Sequence, residues 1–88
     1  MFGRQGCGAC RQAYLRVPAL AAGEVDRLVH LDADVCGGLL REFEVFHLPA
    51  LFLFRAGHFH APLHAALAAP GFARAIACAY AAPAREAP

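Results

Sequence analysis

Residues 50–64 admit little besides a β-hairpin with one strand at the edge of a sheet. Ala50, Leu51, Phe52, Leu53 and Phe54 form the most hydrophobic stretch of the chain, the pattern of a strand buried on both faces. Arg55-Ala56-Gly57 follows as a turn, and residues 58–64 return as the second strand. Pro62 has no N–H to give to a ladder, so that second strand belongs at an edge. An isolated hairpin is marginal in water, and the remaining elements must cover it.

Those elements are mostly helical. Over residues 7–22, Tyr14, Leu15, Val17 and Leu20 draw an apolar stripe, with Arg11, Gln12 and Arg16 on the wet side. Pro18 predicts a kink or early break in this helix, and Gly23 a stop. Residues 27–32 (RLVHLD) form a short β run, after which Asp34 is suited to cap a helix over residues 35–43. Gly37 and Gly38 weaken that helix by about 1 kcal/mol each relative to Ala. Pro70 and Gly71 open a last helix over residues 72–82, and residues 1–3 make only the stub of a strand. The predicted order is (β)-α-β-α-β-β-α: an α/β domain over residues 1–82 with a frayed tail, 83–88. It implies a mixed sheet of three or four strands with helices on both faces.

Composition narrows the function classes. With 59% hydrophobic and 17% charged residues the chain is a packed globule. Its net charge of +1, with no basic block, leaves no electrostatic footprint for nucleic acid. The longest apolar run, residues 48–54, is far short of the roughly 20 residues that a membrane-spanning helix needs. The first residues, MFGRQGCGACRQ, contain no apolar core of a secretion signal. Membrane partners are therefore not expected, and the expected compartment is the cytoplasm.

In a reducing compartment, Cys7-Gly8-Ala9-Cys10 means redox catalysis or metal. A thiol at a helix entrance faces unpaired N–H groups and the positive end of the helix dipole, which favour the thiolate. Such thiols reach pKa values of roughly 3.5–7.5 and are nucleophilic at neutral pH. Cys10, one turn further on, can attack a mixed disulfide formed at Cys7, so the pair can exchange two electrons with a disulfide. The competing reading is half of a zinc site, which needs two more ligands. Cys36 and Cys78 are single and widely spaced and provide no second C-x-x-C.

The stretch LDADVCGGLLREFEVFHLPALFLFRAGHFH resembles the thioredoxin family from its third strand through its hairpin. Asp34 matches the aspartate after that strand, Phe43 an aromatic position near the helix end, and Val45 the aliphatic one after it. Leu48-Pro49 matches the family's Ile/Val–cis-Pro pair, and Phe54-Arg55-Ala56-Gly57 its hairpin turn. The resemblance implies a thioredoxin-like fold and thiol–disulfide oxidoreductase activity with no prosthetic group. It implies that Cys7 attacks and Cys10 resolves. Leu48 and a cis Pro49 would hold the substrate backbone, with His47 beside Cys7. The implied partners are protein disulfides or dithiols, small thiols and a thiol reductant.

The chain also departs from that family. Gly6 stands where Trp is usual, Ala9 where Pro is, and Ala50 where Thr follows the cis-Pro; Pro18 falls one helical turn late. The central strand before C-x-x-C is reduced to residues 1–3, too few to fill its place. The isolated chain is therefore expected to be marginally stable or to self-associate through an incomplete sheet. Two other functions remain open: a catalytically weak binding module on the same fold, and a metal-binding protein using Cys7, Cys10 and histidines. His58 and His60 are expected on one solvated face, with His64 nearby. Cys36 and Cys78 read as small buried hydrophobes or half-exposed thiols, and Phe43, Phe46, Phe52, Phe54 and Phe59 as core.

Overall fold

The computed structural model describes residues 1–88 as a small mixed α/β structure of three helices and two small sheets. In chain order the elements are β1 (Phe2–Gly3), α1 (Gly8–Leu20), β2 (Leu31–Asp32), α2 (Gly37–Glu42), β3 (Leu51–Arg55), β4 (His58–Leu63) and α3 (Gly71–Ala81). β1 pairs with β2 in parallel, and β3 with β4 antiparallel. β4 has no further partner, as Pro62 requires.

The N-terminal residues correct one expectation. Residues 1–3 do occupy the position between the two strand pairs. On one side Leu31 N donates to the Met1 carbonyl and Ala33 N to the Gly3 carbonyl, both at 2.8 Å. On the other, Phe2 N donates to Ala50 O at 2.8 Å and Ala50 N to Phe2 O at 3.1 Å, an antiparallel bridge. Alternate residues of a strand bond to opposite neighbours, so three residues suffice to join β2 to the hairpin. The Met1 amine donates to Val29 O at 2.7 Å, and burial pushes its pKa below the usual amino-terminal value.

Of the predicted strand over residues 27–32, only Leu31–Asp32 is paired. Of residues 27–30 only Val29 is bonded along this edge, its carbonyl accepting the Met1 amine, and its side chain is exposed.

The sheet has two unlike faces. Met1, Leu53 and Leu63 meet Ala13, Val17 and Ala21 from α1 and its C-cap, and Phe72 and Ile76 from α3, in one core. The opposite face carries an aromatic cluster in which Phe43 lies with its ring centroid 5.2 Å from Phe52 and 6.0 Å from Phe59, and Phe2 5.9 Å from Phe52. Helices cover this second face only in part. β3 is accordingly not buried on both faces: Phe54 is 48% exposed, and Phe46, expected in the core, is 85% exposed.

Three local expectations also change. α1 does not break at Pro18 but runs on to Leu20; the ladder resumes past the missing N–H, with Ala21 N reaching Val17 O at 2.8 Å. Val17 and Ala21, buried on either side of Pro18, hold that turn on the core. Asp34 does not cap α2, whose N-cap is Cys36 without a side-chain cap bond. The Asp32 carboxylate accepts Asp34 N at 2.8 Å, and Asp34 itself pairs with Arg4. His58 and His60 do not share a solvated face either. A register shift at Leu53/Phe54 leaves His60 as the extra residue of a β-bulge, and bulges re-aim side chains. His60 is buried, its Nε2 2.7 Å from Ala79 O.

Tyr80 ties α3 to the hairpin. Its hydroxyl donates to Phe54 O at 2.7 Å, while the Arg55 guanidinium lies 4.8 Å over its ring and donates to Tyr80 O at 3.1 Å. Burial raises the phenol above its ordinary pKa, against the opposing pull of Arg55. The folded state therefore holds this proton more tightly than the unfolded chain. The resulting stabilisation is fully present below the unfolded value of about 10 and is lost as pH rises through the folded one. Thermal melts should show the midpoint falling above about pH 10. Tyr80→Phe should lose that component and, near neutrality, cost about 0.5–1.5 kcal/mol for the missing hydrogen bond. An unchanged alkaline slope in Tyr80→Phe would assign it to another group.

Candidate functional site

The C-terminal end of β1 gathers the residues singled out in the sequence. Gly6, at a positive φ of 79°, makes the turn out of β1 at little cost, and Cys7 N reaches back to Arg4 O at 3.4 Å. Cys7 is the N-cap of α1, with extended backbone at φ −92° and ψ 111°. Its Sγ accepts the Cys10 backbone N–H at 3.1 Å, taking the place that a serine or aspartate oxygen takes in ordinary caps.

Cys7 and Cys10 form a disulfide, with Cα atoms 5.2 Å apart. The two sulfurs are not equivalent. Cys10 is 0% exposed, covered by the first turn of α1, whereas Cys7 is half-buried at the helix entrance. A reagent from solvent therefore meets Cys7 first.

Sheet register brings the other candidates to the same end. Because Phe2 and Ala50 pair antiparallel, Pro49 and Leu48 continue in the direction of Gly3 and Arg4, toward Cys7. The Leu48–Pro49 peptide bond is cis, and both residues are half-buried. His47, two residues earlier, is exposed and makes no side-chain hydrogen bond. On the opposite flank, the parallel register Gly3↔Asp32 leads residues 33 and 34 to this end too. Ligands of parallel α/β sheets commonly sit at this end of the strands.

Arg4 is the residue that sequence reading missed. Its Nε donates to Asp34 Oδ1 at 2.8 Å, closing the loop before Cys7 onto the turn after β2. Both side chains are about half exposed, so the pair adds little stability. The only available signal was a basic residue three positions before Cys7 and an aspartate after a strand. Gly3 also has a packing reason: a Cβ there would lie 2.6 Å from Tyr14 Cζ, so the Tyr14 ring closes over β1. Tyr14 in turn stacks on His30, centroids 5.0 Å apart.

The remaining thiols and histidines do not assemble. Cys36 is half-buried and Cys78 exposed, both free. No three His, Cys, Asp or Glu side chains come together as a metal-holding group. No helix is long and apolar enough to cross a membrane.

Comparison with protein-family models, with curated proteins and with solved structures gave no match to this chain.

Proposed function

We propose that the chain is a thiol–disulfide oxidoreductase built on a thioredoxin-like fold, working through Cys7 and Cys10. One observation carries the reading: a half-exposed cysteine sulfur caps the first turn of α1 and is bonded to a fully buried cysteine one turn on. Three further features support it. β1 lies between β2 and the β3–β4 hairpin, Leu48–Pro49 is cis, and the strand register carries that peptide toward the cysteine pair.

In the reducing direction, the Cys7 thiolate attacks one sulfur of a substrate disulfide. The Cys7–substrate disulfide forms, and the other substrate sulfur leaves as a thiolate. The Cys10 thiolate then attacks Cys7 Sγ, forming the intramolecular disulfide and releasing the second substrate thiolate. Two electrons pass to the substrate, solvent supplies its protons, and a thiol reductant restores the dithiol. The Cys10 N–H aimed at Cys7 Sγ and the dipole of α1 favour the attacking thiolate. Leu48 and Pro49 position the substrate backbone beside Cys7, and exposed His47 contacts substrate or the thiolate.

Brief alkylation of the fully reduced protein near neutral pH tests the assignment of roles, read by peptide mass spectrometry. Cys7 is labelled ahead of Cys10 and Cys36, with exposed Cys78 as the internal reference for a surface thiol. Preferential labelling of Cys10 or Cys36 would overturn the nucleophile assignment.

A further inference from the structure

At the end of the hairpin away from the cysteine pair, the segment after α3 folds back and leaves a recess. Ala82 is extended, at φ −85° and ψ 158°, and directs the chain out of the helix. Pro83 and Ala84 then pass β4, where Arg85 N donates to His60 O at 2.7 Å. The space left between this segment and the hairpin turn is about 300 Å³. Arg55, His58, Phe59 and His60 line it on the hairpin side, Pro83 and Ala84 on the other. That volume is at the lower end of the roughly 300–1,000 Å³ of small-ligand pockets.

Every ionisable side chain lining the recess is basic. Arg55 and His58 stand opposite one another across the turn, which puts both side chains on one face of the hairpin. Two basic groups so placed repel when both are charged, and no acid lines the recess to offset them. Asp26, whose charge is felt at Tyr80, does not line it. Arg85 and Glu86, next along the chain, are exposed and opposite in charge. Arg55 is also held in place. Its Nη2 donates to Tyr80 O at 3.1 Å and the guanidinium lies over the Tyr80 ring, so Nε and Nη1 stay free.

His60 decides what kind of anion fits. It is 4% exposed, and its Nε2 carries the ring proton toward Ala79 O, because a carbonyl oxygen only accepts. Nδ1 has no partner in the protein, yet it is not sealed in, since no buried side-chain nitrogen is left unbonded. The imidazole therefore brings an unbonded nitrogen to the recess that it lines. In the neutral ring that nitrogen accepts a hydrogen bond. The two histidines with Arg55 form no metal-holding group.

We infer that this recess binds a small oxyanion that carries its own O–H, hydrogen phosphate being the simplest. Arg55 and His58 take its negative oxygens, and Nδ1 of His60 takes its hydroxyl. Charged acceptors on a fixed guanidinium make the stronger class of hydrogen bond. An anion without a proton sets a lone pair against the lone pair of Nδ1, and a site built to bond a hydroxyl rejects the analogue that lacks it.

The test titrates the full chain with inorganic phosphate and with sulfate above neutral pH. Both are then dianions of the same shape, and only phosphate keeps an O–H. Phosphate should bind at least about tenfold tighter than sulfate. Proton–nitrogen correlation spectra of the imidazole rings should show the His60 Nδ1 signal moving with phosphate. Arg55→Gln should weaken phosphate by about tenfold or more, with circular dichroism confirming that the helices survive. If that variant does not fold, the phosphate-to-sulfate ratio and the His60 signal of the parent carry the test. Equal affinity for the two anions would reduce the recess to a patch of positive charge and overturn the inference. So would phosphate binding that leaves the His60 ring unmoved, or no saturable binding of phosphate.

Discussion

Cys10→Ser is expected to stop turnover while leaving capture of substrate intact. The first displacement needs only Cys7, which keeps its place at the entrance of α1 and its exposure. The second needs a sulfur one turn further in, where Cys10 is fully buried and bonded to Cys7. Serine cannot supply it, so the mixed disulfide persists. Steady-state reduction of a protein disulfide should fall on the order of 10³-fold or more, as when one member of a cooperating catalytic set is removed. Covalent adducts should accumulate on non-reducing gels. Cys7→Ser should fall at least as far with no adduct, which separates attack from resolution. Because Cys10 also contributes to the buried side of α1, far-UV circular dichroism of both variants checks that the helix survives. A Cys10→Ser protein that turns over like the parent would mean that the pair does not act as a couple.

The largest effect on stability is expected at Phe72. It is 1% exposed, in the core that joins α3 to Val17, Leu53 and Leu63. Truncation of a buried Phe to Ala removes its transfer free energy and leaves a cavity, at about 3–5 kcal/mol. A domain of this size has little reserve, and each kcal/mol is worth roughly 4–8 °C of Tm. Phe72→Ala should therefore lower the midpoint by about 15 °C or more, or leave the chain unfolded at room temperature. Phe46 is the internal contrast: at 85% exposure its replacement by Ala should change stability by about 0.5 kcal/mol or less. Equal effects at the two positions would contradict the division between covered and open faces.

Much of this architecture was legible because it rests on local chemistry. Pro62 fixed the edge strand, Gly57 after Arg55-Ala56 fixed the turn, and Pro70-Gly71 marked the start of α3. The C-x-x-C motif lies at a helix entrance, where the apolar stripe after it placed it. The misreadings share one cause: they depended on which partner a residue would find. Residues 27–30 look like a strand but are paired only if something lies beside them. Asp34 looks like a cap until Arg4 arrives from 30 positions away. His60 looks solvated until a bulge turns it under Tyr80. The alternating bonds of residues 1–3 to two neighbours are likewise a tertiary fact, invisible in a tripeptide. At the site, the cysteines were legible from spacing. The convergence of Pro49 and Asp34 on the same end of β1 became physical only through sheet register.

The central claim is that Cys7 and Cys10 exchange disulfides catalytically, and reduction of insulin by dithiothreitol measures it most directly. The rate of B-chain precipitation should rise in proportion to added protein and return to the background of dithiothreitol alone with Cys7→Ser. A folded, fully reduced parent that gives no acceleration over dithiothreitol would contradict the claim and leave the cysteine pair as a structural or binding feature.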